Sequence, residues 1–99
     1  MITFVRTIVA LPGKIGDVVA LAKETAAHVK RVTGTDVAVG MSFGGAFSEV
    51  AWISHADSLA DMEAANDKMM ADAELRAQFK KWENMIVPGA SRDHIWRHV

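Results

Sequence analysis

Three features of the sequence predict an α+β sandwich of the ferredoxin-like class. A β-branched run opens the chain at residues 2–11. Residues 35–55 read as two strands around Gly44 and Gly45. Amphipathic helical stretches precede and follow that hairpin, and a last strand-like run closes the chain at residues 91–99. The order is β-α-β-β-α-β. Short connections and right-handed crossovers fold it into a four-stranded antiparallel sheet, strand order 4-1-3-2, with the helices on one face.

The first run places Ile2, Phe4, Arg6 and Ile8 on one side and Thr3, Val5, Thr7, Val9 and Leu11 on the other. Both sides are largely apolar, whereas a strand with one wet face alternates. Pro12 and Gly13 break it. From Lys14 to about Val32, Ile15, Val18, Val19, Ala22, Ala26 and Val29 recur at helical spacing, with Asp17, Glu24, His28 and Arg31 assigned to the opposite side. Gly34 is the expected stop.

For the hairpin, a turn confined to the two glycines makes facing residue numbers sum to 89. Val37 then faces Trp52, Val39 faces Val50 and Met41 faces Ser48. The second face carries Asp36, Ala38, Gly40, Ser42, Phe47, Glu49, Ala51, Ile53 and His55. Ser58 and Asp61 have capping-box spacing ahead of a helix from Leu59 to about Met70. Asp72 is placed to cap a second helical piece carrying Leu75, Phe79, Trp82 and Ile86, which Pro88 and Gly89 end. In the final run His94, Trp96 and His98 alternate with Asp93, Ile95, Arg97 and Val99.

Composition narrows the function. At 99 residues the chain is one domain, 1–99, and 51% of it is hydrophobic, as in an ordinary folded protein. Eleven Lys and Arg against 12 Asp and Glu leave a net charge of −1, so no basic field draws nucleic acid or acidic lipid. With no cysteine there is no disulfide, thiolate metal site or thiol nucleophile, and with no tyrosine there is no phenolic acid or base. No signal peptide and no run of 18 apolar residues are present, which makes the cytoplasm the default location. The third strand lacks the leading basic residue and the aromatic register of an RNA-recognition motif, so no nucleic-acid partner is expected.

A single such sheet leaves one face bare, yet the first strand and the hairpin are apolar on both sides. That patch exceeds what soluble monomers expose. A second copy packed sheet to sheet would cover it, giving an isologous dimer with a cavity between the sheets.

The strand-Pro-Gly-Lys-helix opening (Val5 to Asp17) and the stretch from Ser58 through Leu75 resemble the dimeric α/β-barrel superfamily, and within it the NIPSNAP-like branch. The resemblance spans nearly the whole chain. It implies a homodimeric barrel, and functions ranging from cofactor-free monooxygenases through haem proteins and lactone isomerases to proteins without assigned activity. It does not choose among them.

The candidate catalytic residues are Arg6, Glu49 and His55. Arg6 and Glu49 are charges within otherwise apolar or small-residue strands, expected to meet as an ion pair, structural or anion-holding. The candidate ligand-binding residues are Phe4, Trp52, Trp96, His94 and His98. The two tryptophans would line an apolar pocket, against the commoner fate of plain packing. Met62, Met69 and Met70 read as helix packing. No metal is assigned, because His94 and His98 lie about 7 Å apart across Trp96 and need a third element to share an ion. No cofactor is assigned either. The leading function is a homodimer binding a small apolar or aromatic molecule in a sheet-lined cavity. The alternatives are a cofactor-independent monooxygenase acting on an aromatic or polyketide-like ring, and a non-catalytic dimerisation module. A cavity of several hundred Å³ with convergent polar groups favours the first two.

Overall fold

The structure, a computed structural model, describes residues 1–44 and 48–99. Strand β1 (Ile2–Val9) leads to helix α1 (Ile15–Thr33), strands β2 (Val37–Met41) and β3 (Glu49–Ala56), helices α2 (Leu59–Ala71) and α3 (Ala73–Lys81), a 3-10 turn (Trp82–Asn84) and strand β4 (Arg92–Arg97). The antiparallel sheet runs β2-β3-β1-β4, the expected order read from its other edge. Among the described residues no helix is long and apolar enough to cross a membrane.

The local signals act where the sequence puts them. Gly34 adopts φ 77°, a left-handed conformation that costs glycine least, and its N–H closes α1 on Lys30 O at 2.9 Å. Ser58 Oγ accepts the Asp61 N–H at 3.2 Å to start α2. Asp72 has extended backbone (φ −86°, ψ 119°), which ends α2, and its carboxylate accepts the Leu75 N–H at 2.9 Å, which starts α3. One residue thus stops one helix and caps the next.

Two boundaries differ from expectation. The last helical piece ends before Ile86, which forms an isolated bridge with Ala10. The backbone at the end of β1 needs partners, and it finds them there: Leu11 donates to Met85 O and Val87 donates to Val9 O. Pro88 also biases the residue before it toward extended backbone. The hairpin register differs as well. Val37 faces Ser54, Val39 faces Trp52 and Met41 faces Val50, so facing numbers sum to 91. The slip is two residues, which preserves the side of every residue. Gly45 of the expected turn, with Ala46 and Phe47 after it, lies outside the described residues.

The main core cluster lies at one end of the sandwich, while Ile2, Val29 and Leu75 are buried outside it. Ile8, Ala10, Val18, Leu21, Ala22, Val50 and Trp82 form the cluster, with Trp52 and Phe79 against them. Trp52 meets Trp82 edge to face with centroids 5.0 Å apart, and its ring N–H donates to Ala22 O at 3.1 Å. His28 is a correction: it is buried, not on a solvated helix face. The α2–α3 junction covers it, with Nε2 3.2 Å from Asp72 Oδ1 and 3.5 Å from Glu74 Oε2.

Candidate functional site

The two sheet faces have separate characters, and the pairing registers assign each residue to one. Along β1–β3 partner numbers sum to 58, and along β1–β4 to 99: Arg6 lies between Trp52 and Asp93, and Phe4 between Ser54 and Ile95. These residues face the helices. Glu49 pairs with Val9 on the opposite face. The expected Arg6–Glu49 ion pair is therefore not formed, because the pleat points the two side chains to opposite sides of the sheet. Arg6 pairs with Asp93 instead.

Beyond the core end, the helices stand away from the sheet and leave a cavity of about 490 Å³. Phe4, Arg6, Trp52 and Ser54 form its sheet wall, joined by Val37 and Ile95. Helix α1 contributes Thr25, Ala26 and Val29, one or two turns beyond the core residues Val18, Leu21 and Ala22. Helix α2 contributes Leu59, Met62, Glu63, Ala65, Asn66 and Met69 and has no buried residue of its own. Its apolar stripe, which in a closed sandwich would pack on the sheet, looks onto open space.

Polar groups enter this apolar chamber at a few points. Arg6 donates from Nε to Asp93 Oδ1 at 2.7 Å and from Nη2 to Oδ2 at 2.9 Å, with Cζ 5.4 Å from the Phe4 ring centroid. Hydrogen bonding to Asp93, with its charge, raises the guanidinium pKa against the opposing effect of burial. The same hydrogen bonds hold the Asp93 carboxyl below the usual carboxylate range. Ser54 offers a hydroxyl and Asn66 an amide. Thr25 is 5% exposed and its Oγ1 is buried without a hydrogen-bond partner.

The other face carries the remaining candidates. Thr3 Oγ1 lies 2.9 Å from His55 Nδ1 and 2.6 Å from His98 Nε2. A hydroxyl has one proton to donate, so with both bonds formed one ring nitrogen accepts it and the other donates. The two rings stand perpendicular, 6.1 Å apart. His94 and Trp96 share this face by register, beside Val5 and Thr3, and Trp96 is 61% exposed. Among the described residues no group of three His, Asp or Glu side chains is arranged to hold a metal ion.

Of the candidates read from sequence, the structure brings Phe4, Arg6 and Trp52 together in the cavity. It separates them from Glu49, His55, His94, Trp96 and His98. Trp52 and Trp96 cannot line one pocket within a chain, because the sheet lies between them. Ser54, Glu63, Asn66 and Thr25 were not singled out in the sequence. Asn66 had a signal, as a polar residue inside the stripe Leu59, Met62, Met69. Met62 and Met69, read as packing, line the cavity. A shallower hollow of about 510 Å³ lies at the outer edge between α1 and β2, where Lys30 is already tied to Asp36 at 2.9 Å.

No family profile and no curated protein matches the sequence. Solved structures do match in fold. An uncharacterized NIPSNAP domain protein from Burkholderia xenovorans is 12% identical with a TM-score of 0.86, over 100% of this chain and 95% of that one. A NIPSNAP family protein of unknown function from Agrobacterium tumefaciens is 21% identical with a TM-score of 0.84, over 100% of this chain and 88% of that one. A candidate antibiotic biosynthesis monooxygenase from Deinococcus radiodurans is 12% identical with a TM-score of 0.74, over 100% and 93%. The chain shares the fold of these NIPSNAP proteins.

Proposed function

We propose that this chain binds a small apolar or aromatic molecule in the cavity between its sheet and its helices, and that it does so as a homodimer joined through the open sheet face. The observation that carries the first part is the cavity: about 490 Å³ walled by Phe4, Trp52, Met62, Met69, Phe79 and Ile95, with Arg6, Ser54 and Asn66 at its margin. Size, apolar walls and few polar groups are the attributes of small-molecule sites. The sequence suggested a cavity between two sheets; the helix-side chamber supports a site complete within each chain. The dimer rests on Val5, Ile53 and Trp96, which stand together on the face without helices.

Titration with naphthalene, followed by tryptophan fluorescence or calorimetry, tests the first part. Saturable binding that is weakened when Ala65→Phe fills the cavity supports it; no binding, or binding indifferent to that substitution, overturns it.

A second reading, oxygenation of an electron-rich ring without a cofactor, draws on the likeness to the Deinococcus radiodurans protein. His55 lies on the opposite face of the sheet, so Arg6 is the candidate left to polarise a ring in the cavity. Oxygen uptake with a phenolic ring, abolished in Arg6→Met while naphthalene still binds, is the expected result.

A further inference from the structure

We infer that Asp93 sets the charge selectivity of the cavity: by occupying the Arg6 guanidinium it makes the site one for uncharged molecules with an apolar body and a hydrogen-bonding group, and closes it to carboxylates. The inference rests on the cavity being the binding site. Arg6 is the cation among the described residues of the cavity wall, and on sequence alone it reads as half of an ion pair with Glu49, structural or anion-holding. The structure assigns its fork elsewhere. Nε and Nη2, the edge that receives a carboxylate in two parallel bonds, already hold both oxygens of Asp93 at 2.7 and 2.9 Å.

The local charges then sum against an anion. Arg6 and Asp93 cancel, and Glu63, the other ionisable group among the described residues of the wall, leaves the site at −1. A ligand carboxylate would have to displace Asp93 from Arg6 or enter beside a net negative charge, which disfavours it relative to a neutral ligand of the same shape. What remains for a ligand is the N–H groups of Arg6 that Asp93 leaves free, their charge offset by its carboxylate, and three neutral groups: the Ser54 hydroxyl, the Asn66 amide and Thr25. The Thr25 Oγ1 is buried and unpartnered, a condition that ordinarily marks a missing hydrogen bond. Threonine in a helix divides between two rotamers, so turning that hydroxyl toward the cavity is inexpensive. The pairing of apolar walls with neutral donors and acceptors selects an alcohol or a carbonyl on a ring-sized body.

Three probes of one size separate the outcomes: naphthalene, 2-naphthol and 2-naphthoate, titrated by calorimetry into the wild type and Asp93→Asn. Asparagine keeps the shape of Asp93 and removes its charge, and a melting curve verifies that the variant is folded. The wild type is expected to bind 2-naphthol roughly ten-fold or more tighter than 2-naphthoate, and Asp93→Asn to shift that ratio toward the acid by about ten-fold. The shift should vanish in the double variant Arg6→Met, Asp93→Asn. Naphthoate binding as tight as naphthol in the wild type, or a ratio unmoved by Asp93→Asn, overturns the inference while naphthalene binding leaves the cavity reading standing. Failure of all three probes overturns both.

Discussion

Arg6 and Asp93 are direct neighbours across β1 and β4 and share two parallel hydrogen bonds of 2.7 and 2.9 Å. The pair sits at the margin of the cavity with side chains 45% and 46% exposed. Its geometry is bidentate and its surroundings are half solvent, and the two facts have different consequences. The geometry decides what Arg6 can recognise. The exposure limits what the pair adds to stability.

Asp93→Asn should lower stability by less than about 1 kcal/mol at neutral pH, because screening and side-chain entropy offset most of the gain of an exposed pair. The pH dependence has a defined sign. Arg6 depresses the Asp93 pKa in the folded state. The stabilisation is therefore fully present above the unfolded carboxyl value, about 3.9, and is lost as pH falls from there through the lower folded value. Thermal melts of wild type and variant should differ by a constant amount between pH 5 and 8 and converge in more acidic solution.

Leu75 and Leu59 should respond differently to truncation. Leu75 is fully buried, and Leu75→Ala removes its contacts and leaves a void at a cost of about 2–5 kcal/mol. Leu59 is 50% exposed at the cavity wall, so Leu59→Ala should cost about 1 kcal/mol or less. Urea unfolding of the two variants measures the contrast. Equal losses would mean that α2 is packed against the sheet in solution.

Ala65→Phe places an aromatic ring into the cavity from α2. Binding of naphthalene should fall by about ten-fold or more, while stability is unchanged or rises, since the ring buries apolar area that water now meets. Calorimetry and melting curves together separate this from simple misfolding.

Trp96→Arg should convert a dimer to a monomer without unfolding the chain. Trp96 is 61% exposed on the face opposite the helices, so a single chain loses little packing. Light scattering should give the mass of two chains for the wild type and of one for the variant at micromolar concentration. A wild-type monomer would refute the sheet-to-sheet dimer.

The backbone plan was legible because its signals are local. Gly34, Ser58 and Asp72 act through conformations and hydrogen bonds that span three or four residues. The side of each strand residue was legible too, since a period of two survived a register slip of two. The partner of Arg6 was not. Choosing Asp93 over Glu49 required the pairing offsets of β1 with both neighbours, which are set by distant strands and by which pleat each charge lands on. The burial of His28 is hidden from the sequence for a related reason: helical spacing gives the faces of α1, but not that the α2–α3 junction covers one of them.

The order of elements, the helix caps and the two-sided apolar character of β1 follow from the sequence alone, because propensity, capping and alternation act over short separations. The location of the cavity was decided only in three dimensions. Leu59, Met62 and Met69 form a stripe whether or not anything packs against it. Whether that stripe closes on the sheet or stands off to leave a chamber depends on where α2 sits relative to strands distant in sequence, which no local signal encodes.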